Sequence, residues 1–84
     1  MSRANRPIIA SQAREDIRKL SDLIEVAGSR ADRAIWDVSG VRYEWARGTH
    51  CLTVWEGLGR RSIELPEASK LSAKKAVFAE VREL

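Results

Sequence analysis

Trp55 and the arginines near it are the residues of this 84-residue chain whose chemistry most directly suggests a ligand. If Leu52 and Val54 face the core, the alternation of a strand places Trp55 on the opposite, outer side. An indole flanked by guanidinium groups suits base stacking combined with phosphate pairing. Tryptophan and arginine are also enriched at protein–protein hot spots. A third reading is a solvated sheet face on which arginine stems cover the indole, and the sequence leaves all three open.

Basic residues form two further candidate surfaces. Lys70, Lys74 and Lys75 lie near the start of the last predicted helix, where positive charge opposes the helix dipole. They are either phosphate contacts or a solubilising face. Arg3 and Arg6 belong to a basic N-terminal arm, residues 1–9, for which a frayed terminus is the default.

Catalytic and metal chemistry finds little support in the sequence. His50 and Cys51 are adjacent, but neighbours on a strand point to opposite faces, so they cannot form a thiol–imidazole pair. One cysteine and one histidine are too few for a zinc site. Gly57 and Gly59 open into a strand rather than a helix, which argues against a phosphate-binding loop. The sequence therefore predicts no enzyme, no metal site and no cofactor.

Composition fits one small globular domain. Hydrophobic residues make up 44% and charged residues 32%, and 15 basic against 12 acidic residues leave a net charge of +3. This charge is lower than a strong nucleic-acid binder carries. The single cysteine, together with a start that leads into no apolar run, predicts a cytoplasmic protein. No apolar stretch is long enough to predict a membrane span.

The hydrophobic pattern has a period of two between residues 34 and 65. Val41, Tyr43 and Trp45 alternate with polar residues, which indicates a half-buried strand. Further strands are predicted around residues 36–38, 50–56 and 61–65, with glycines between them. Short connections favour an antiparallel meander of three to four strands.

Two helices are predicted to flank the strands. Ala13, Ile17, Leu20 and Ile24 recur at steps of three and four, which predicts a helix from about residue 10 to 27 with Ser11 as its N-cap. A second helix is predicted over residues 67–84. Its start is left open between two alternatives, Pro66 at N1 or Ser72 as the cap of a shorter helix, and its apolar side is expected to comprise Leu71, Val77, Phe78, Val81 and Leu84. The predicted fold is α+β, a single domain over residues 10–84 with both helices packed on one sheet face.

The last helix opens with Ser72-Ala73-Lys74-Lys75-Ala76. In the order helix–strands–helix, this run resembles the double-stranded-RNA-binding domain, a family that places a lysine-containing run here to hold phosphates. The resemblance covers about 13 residues, and Val77 stands where the family has a further lysine. It implies that Lys74 and Lys75 contact a nucleic-acid backbone.

The sequence thus predicts a small non-enzymatic binding protein. It is expected to be an inhibitor or accessory factor, of the kind that phages and mobile elements encode, occupying a surface of a nucleic-acid-handling complex. The alternative is a module that binds RNA or DNA directly, and a homodimer is left open. The candidate contact residues are Arg42, Arg47, Trp55, Arg60, Arg61, Lys70, Lys74 and Lys75.

Overall fold

A computed structural model describes residues 11–26 and 29–83 of the chain. Four strands form one antiparallel sheet in the order β1-β2-β3-β4, followed by one helix. This confirms the α+β class, the antiparallel meander and the C-terminal helix. The elements are β1 (Arg33–Val38), β2 (Val41–Ala46), β3 (Cys51–Glu56), β4 (Gly59–Glu64) and α1 (Lys70–Glu83).

Two tight turns set the register of the meander. Ser39 and Gly40 join β1 to β2, and both have positive φ, 52° and 82°. Consecutive left-handed residues give the turn a twist that matches the twist of the flanking strands. Gly57, at φ 59°, and Leu58 join β3 to β4 in a connection of the same length. Each turn therefore fixes which residues of adjacent strands stand opposite each other.

The core lies between one face of the sheet, here called the inner face, and α1. Side chains that β1, β2 and β3 place on the inner face are buried against the helix, and α1 contributes small and β-branched residues, which allow close packing. The largest contributors from the sheet are Trp36, Tyr43, Trp45, Leu52 and Val54, and those from α1 are Ala73, Val77 and Val81.

Helix α1 begins three residues later than predicted. The hydroxyl of Ser69 accepts a hydrogen bond from the Ser72 N–H at 3.1 Å, so Ser69 is the N-cap. Neither Pro66 nor Ser72 has the role that the sequence suggested. Leu71, expected on the apolar side, is 54% exposed, because the face that packs on the sheet is shifted towards Ala73 and Val77.

The predicted helix over residues 10–27 is wrong. Residues 11–26, here called the N-terminal segment, contain only two 3₁₀ turns, Arg14–Asp16 and Leu20–Asp22, separated by extended backbone. The segment buries Ile17 and Leu23, whereas Ile24 of the predicted stripe is 62% exposed. The two ends of the predicted helix, and the arm over residues 1–9, lie outside the described residues.

The N-terminal segment covers the outer edge of β1, which explains the loss of the helix. Gln12 forms backbone hydrogen bonds with both Asp37 and Ser39, and the Val26 N–H donates to the Ile35 carbonyl at 2.9 Å. Helical backbone would direct these groups along its own axis and leave the edge of β1 unpaired. Tertiary pairing therefore outweighs local helix propensity here.

Side chains from both ends of the described chain fasten the segment to α1. The Arg14 Nε atom donates to the carbonyl of Val81 at 3.0 Å, and an Arg82 guanidinium nitrogen donates to the carbonyl of Ile17 at 3.3 Å. Asp22 accepts hydrogen bonds from two N–H groups within the segment itself. These bonds hold the segment beside the helix as well as along the sheet.

Candidate interaction surface

The sheet surface that faces away from α1, here called the outer face, is built from cross-strand rows. The first row contains Asp37, Arg42, Trp55 and Arg60, one from each strand in order. The second row contains Ile35, Glu44, Thr53 and Ser62. At the end nearest residue 51, Arg33 pairs with Ala46 and Cys51 pairs with Glu64. The outer face is therefore where the structure places Arg42, Trp55 and Arg60 side by side.

Trp55 is the centre of the first row. Its side chain is 42% exposed, whereas Trp36 and Trp45 are buried on the inner face. The Arg60 guanidinium carbon lies 5.4 Å from the centroid of the Trp55 ring, within cation–π distance. Arg42 stands directly opposite Trp55 on the other side. Trp55 thus lies between two arginines of the neighbouring strands.

Two shallow concavities meet at Trp55. The larger, about 480 Å³, is lined by Asp37, Gly40, Arg42, Glu44, Trp55 and Gly57. The smaller, about 310 Å³, extends towards the other end of the sheet past Thr53 and Cys51. Because Trp55 and Glu44 line both, the indole forms a ridge between two depressions. A side chain that enters either concavity would therefore contact the indole.

Opposite charges balance across the outer face. Three guanidinium groups, those of Arg33, Arg42 and Arg60, share it with the carboxylates of Asp37, Glu44 and Glu64. Arg33 and Glu44 form a salt bridge at 3.1 Å. Asp37 stands opposite Arg42 and also accepts a hydrogen bond from the Ser11 hydroxyl. The formal charge of the surface is therefore near zero, although it is locally positive beside Trp55.

The structure does not bring the other predicted arginines to this surface. Arg47 lies in the turn after β2, at the end of the sheet away from Trp55; it stacks over Trp45 at 5.8 Å and donates to the carbonyl of Ala31. Arg61 points to the inner side and forms a salt bridge with Glu80 of α1. Both guanidinium groups therefore have partners within the chain.

The three lysines lie on α1, which covers the inner face, and so they are separated from Trp55 by the sheet. Lys70 forms a salt bridge with Glu25 at 2.7 Å, which ties the start of α1 to the N-terminal segment. Lys75 is exposed beside Leu71, and Lys74 is partly buried. The eight predicted contact residues consequently divide between two opposite surfaces and one turn.

Packing shifts the pKa values of two titratable groups near the core, Tyr43 and Arg61. Burial, together with the nearby Glu80 carboxylate, raises the pKa of Tyr43 from 10.0 to about 12. The hydrogen bond from Arg61 to Glu80 raises the pKa of that guanidinium further. Neither group is therefore suited to exchange a proton near neutral pH.

His50 lies just before β3, and Cys51 is the first residue of that strand. The His50 Nδ1 atom is 3.1 Å from the carbonyl oxygen of Leu65, and Cys51 lies exposed on the outer face. Within residues 11–26 and 29–83, no group of three histidine, cysteine or acidic side chains is arranged to hold a metal ion. In the same part of the chain, no helix has both the length and the apolar character needed to cross a bilayer.

Two residues of this region were not singled out from the sequence. Asp37 joins the first row, and its position follows from pairing residues 38 and 41 across the two-residue turn, a signal present in the alternation of β1. Leu58, at the tip of the β3–β4 turn, is fully exposed beside the same end of the sheet. No pattern in the sequence marks Leu58, because turn residues follow neither strand nor helix periodicity.

Comparison of the chain with models of protein families, with curated proteins and with solved structures gave no match. The resemblance to the double-stranded-RNA-binding domain therefore depends on residues 72–76 and on the order of elements. The first helix of that order is replaced by the N-terminal segment.

Proposed function

We propose that this chain is a small, non-enzymatic protein-binding module that docks onto a partner protein through its outer face. The observation that supports the proposal is the partly exposed Trp55 indole, placed between Arg42 and Arg60 and between two concavities. Aromatic and arginine side chains at the centre of a contact region supply most of the binding energy in many protein complexes.

Charge balance favours a protein over a nucleic acid as the direct ligand. A polyanion gains affinity from cations that are free to release its counterions. The outer face carries three guanidinium groups and three carboxylates, and the carboxylates would repel phosphates. Two further cations, Arg61 and Lys70, are already paired on the other side of the molecule.

The geometry also suggests the chemistry of the partner. An aliphatic or aromatic side chain would enter the larger concavity and pack on the Trp55 ring. Acidic side chains beside it would pair with Arg42 and Arg60, since these two guanidinium groups form no salt bridge with a described residue. That the partner belongs to a nucleic-acid-handling complex, and that the chain acts as its inhibitor or accessory factor, stays a prediction from the sequence.

The proposal is tested with the full chain immobilised as bait in a cell lysate, with and without nuclease treatment. Three baits are compared: the unchanged chain, Trp55→Ala and Leu71→Ala. Leu71 is the matched control, because it is another large exposed apolar side chain but lies on α1, away from the outer face. A captured protein is then purified and titrated against each bait by calorimetry.

We expect a nuclease-resistant partner that binds the unchanged chain and the Leu71→Ala variant alike. Truncation of a central hot-spot tryptophan costs about 2 kcal/mol or more, so Trp55→Ala should weaken binding by about 30-fold or more. Equal binding by all three baits would contradict the proposal. Capture that disappears with nuclease, accompanied by salt-sensitive binding of labelled RNA or DNA, would instead support direct nucleic-acid binding.

A further inference from the structure

The two edges of the sheet differ in how they are covered. The outer edge of β1 is paired with the N-terminal segment and is capped by Ser29, whose hydroxyl accepts from the Ile35 N–H at 2.9 Å. Strand β4 forms the other edge, and five of its six residues are exposed. Helix α1 packs mainly over β1, β2 and β3 rather than over β4. An uncovered edge of this kind is a template for another strand.

The backbone groups available at this edge follow from the β3–β4 turn. In a hairpin with a two-residue turn, the residues that flank the turn, Glu56 and Gly59, form a hydrogen-bonded pair. Pairing then alternates, so the N–H and carbonyl groups of Arg60, Ser62 and Glu64 point away from β3. None of these six groups forms a hydrogen bond with a residue that the structure describes.

We propose that β4 pairs antiparallel with β4 of a second copy of this chain, around a two-fold axis at Ser62. In this register Ser62 stands opposite Ser62 of the second copy, and Arg60 stands opposite Glu64 in both directions. Each of these opposed pairs exchanges two backbone hydrogen bonds. The two Arg60–Glu64 pairs bring opposite charges together on the outer face. A second copy of β4 is thus complementary to this edge in both charge and register.

Neighbouring registers are less favourable, which makes this one specific. Pairing centred on Arg60 or on Glu64 would bring like charges directly opposite each other. A shift of two residues towards the C-terminus would place Pro66, which has no N–H, opposite Arg60. A shift the other way leaves Glu64 opposite the turn residue Leu58. The charges of Arg60 and Glu64 therefore favour the register centred on Ser62 over its neighbours.

The dimer would join two sheets into one continuous sheet with both copies of α1 on the same side. The contact surface is the same on each copy, as two-fold symmetry requires. The two outer faces would also adjoin, so that the two Trp55 ridges lie on one surface. This inference goes beyond the proposed function, because it rests on the edge of β4 rather than on what binds Trp55. The two surfaces share Arg60, which borders Trp55 on the outer face and faces Glu64 of the second copy at the edge.

Charge-swap variants test the proposal by sedimentation equilibrium of the full chain. In Arg60→Glu, two carboxylates would oppose each other at both symmetric positions, and in Glu64→Arg two guanidinium groups would do so. We expect each single variant to dimerise about 10- to 30-fold more weakly than the unchanged chain. An equimolar mixture of the two variants restores opposite charges at both positions, so heterodimers should recover the original affinity.

The mixture distinguishes charge repulsion from misfolding, since two misfolded variants would not restore dimerisation when mixed. Ser62→Pro provides a second test: it removes an outward N–H that β3 does not use, so the monomer should keep its circular dichroism spectrum and lose dimerisation. A chain that stays monomeric at about 1 mM, the weak limit for a specific contact, would overturn the proposal. Dimerisation that is unchanged in both single variants would also overturn it, because the contact would then lie elsewhere.

Discussion

Replacing Gln12 by methionine should loosen the N-terminal segment from the sheet. The Gln12 amide nitrogen donates to the carbonyl of Asp22 at 2.8 Å, and its amide oxygen accepts from the Ile24 N–H at 3.0 Å. Methionine has a similar length and occupies the same space, but it can replace neither bond. The substitution therefore tests the two hydrogen bonds with little change in packing.

The expected cost follows from those two bonds. The bond to Asp22 is partly buried and the bond from Ile24 is exposed. Hydrogen bonds contribute about 1 kcal/mol each to the free energy of unfolding, so Gln12→Met should lower that free energy by about 2 kcal/mol. For a domain of this size, the corresponding decrease in Tm is about 10 °C. The backbone bonds of Gln12 to β1 are not removed directly, so the sheet itself should stay folded.

Urea unfolding followed by tryptophan fluorescence measures this change, because Trp36 and Trp45 are buried in the core. Hydrogen exchange adds a local readout: the Val26 N–H, bonded to Ile35 of β1, should exchange faster in the variant. Glu15→Met is the matched control, since Glu15 is exposed in the same segment and should change stability by less than about 0.5 kcal/mol. A loss below about 0.5 kcal/mol for Gln12→Met, with unchanged exchange at Val26, would refute this account of the segment.

Two further outcomes concern the core. The pKa of Tyr43 is 10.0 in the unfolded chain and about 12 in the folded protein, so the unfolded state loses this proton first and stability should fall as pH rises from 10 to 12. Tyr43→Phe should flatten that fall when urea unfolding is measured across this pH range. An unchanged dependence on pH would contradict the assignment. The Trp45 indole N–H donates to the carbonyl of Thr49 at 2.8 Å, whereas that of Trp36 has no partner among the described residues. Trp45→Phe should therefore lower the free energy of unfolding by about 1 kcal/mol more than Trp36→Phe, and equal losses would argue against a net contribution from this bond.

The sheet was predictable because its signal is repeated along the chain. Alternation in Val41, Tyr43 and Trp45 continues across two-residue turns, and each turn fixes the next register. The same alternation assigned Trp55 to the face opposite Leu52, where the structure places it. The direction of the Arg47 side chain could not be predicted in this way, because Arg47 lies in a turn and the alternation of a strand does not extend into turns.

The N-terminal segment was not predictable from periodicity, since its conformation depends on distant partners. Residues 11–26 contain good helix formers at helical spacing. Local sequence patterns do not reflect the pairing of this segment with the edge of β1, which outweighs helix propensity. Gln12 and Asp22 decide the path of the chain through side-chain bonds to backbone groups. Such polar anchors leave no hydrophobic pattern behind. Their effect appears only once β1 is in place.

The bonds from Arg14 to Val81 and from Arg82 to Ile17 have a consequence for synthesis on the ribosome. The first part of the described chain to emerge is held in part by the last, so it cannot complete its docking until α1 has left the exit tunnel. Until then only its bonds to β1 hold the segment along the edge of the sheet, while β2, β3 and β4 can already pair through local turns. A nascent chain stalled before Val81 should therefore expose the edge of β1 more often than one stalled after α1 has emerged, and it should associate more readily with other chains.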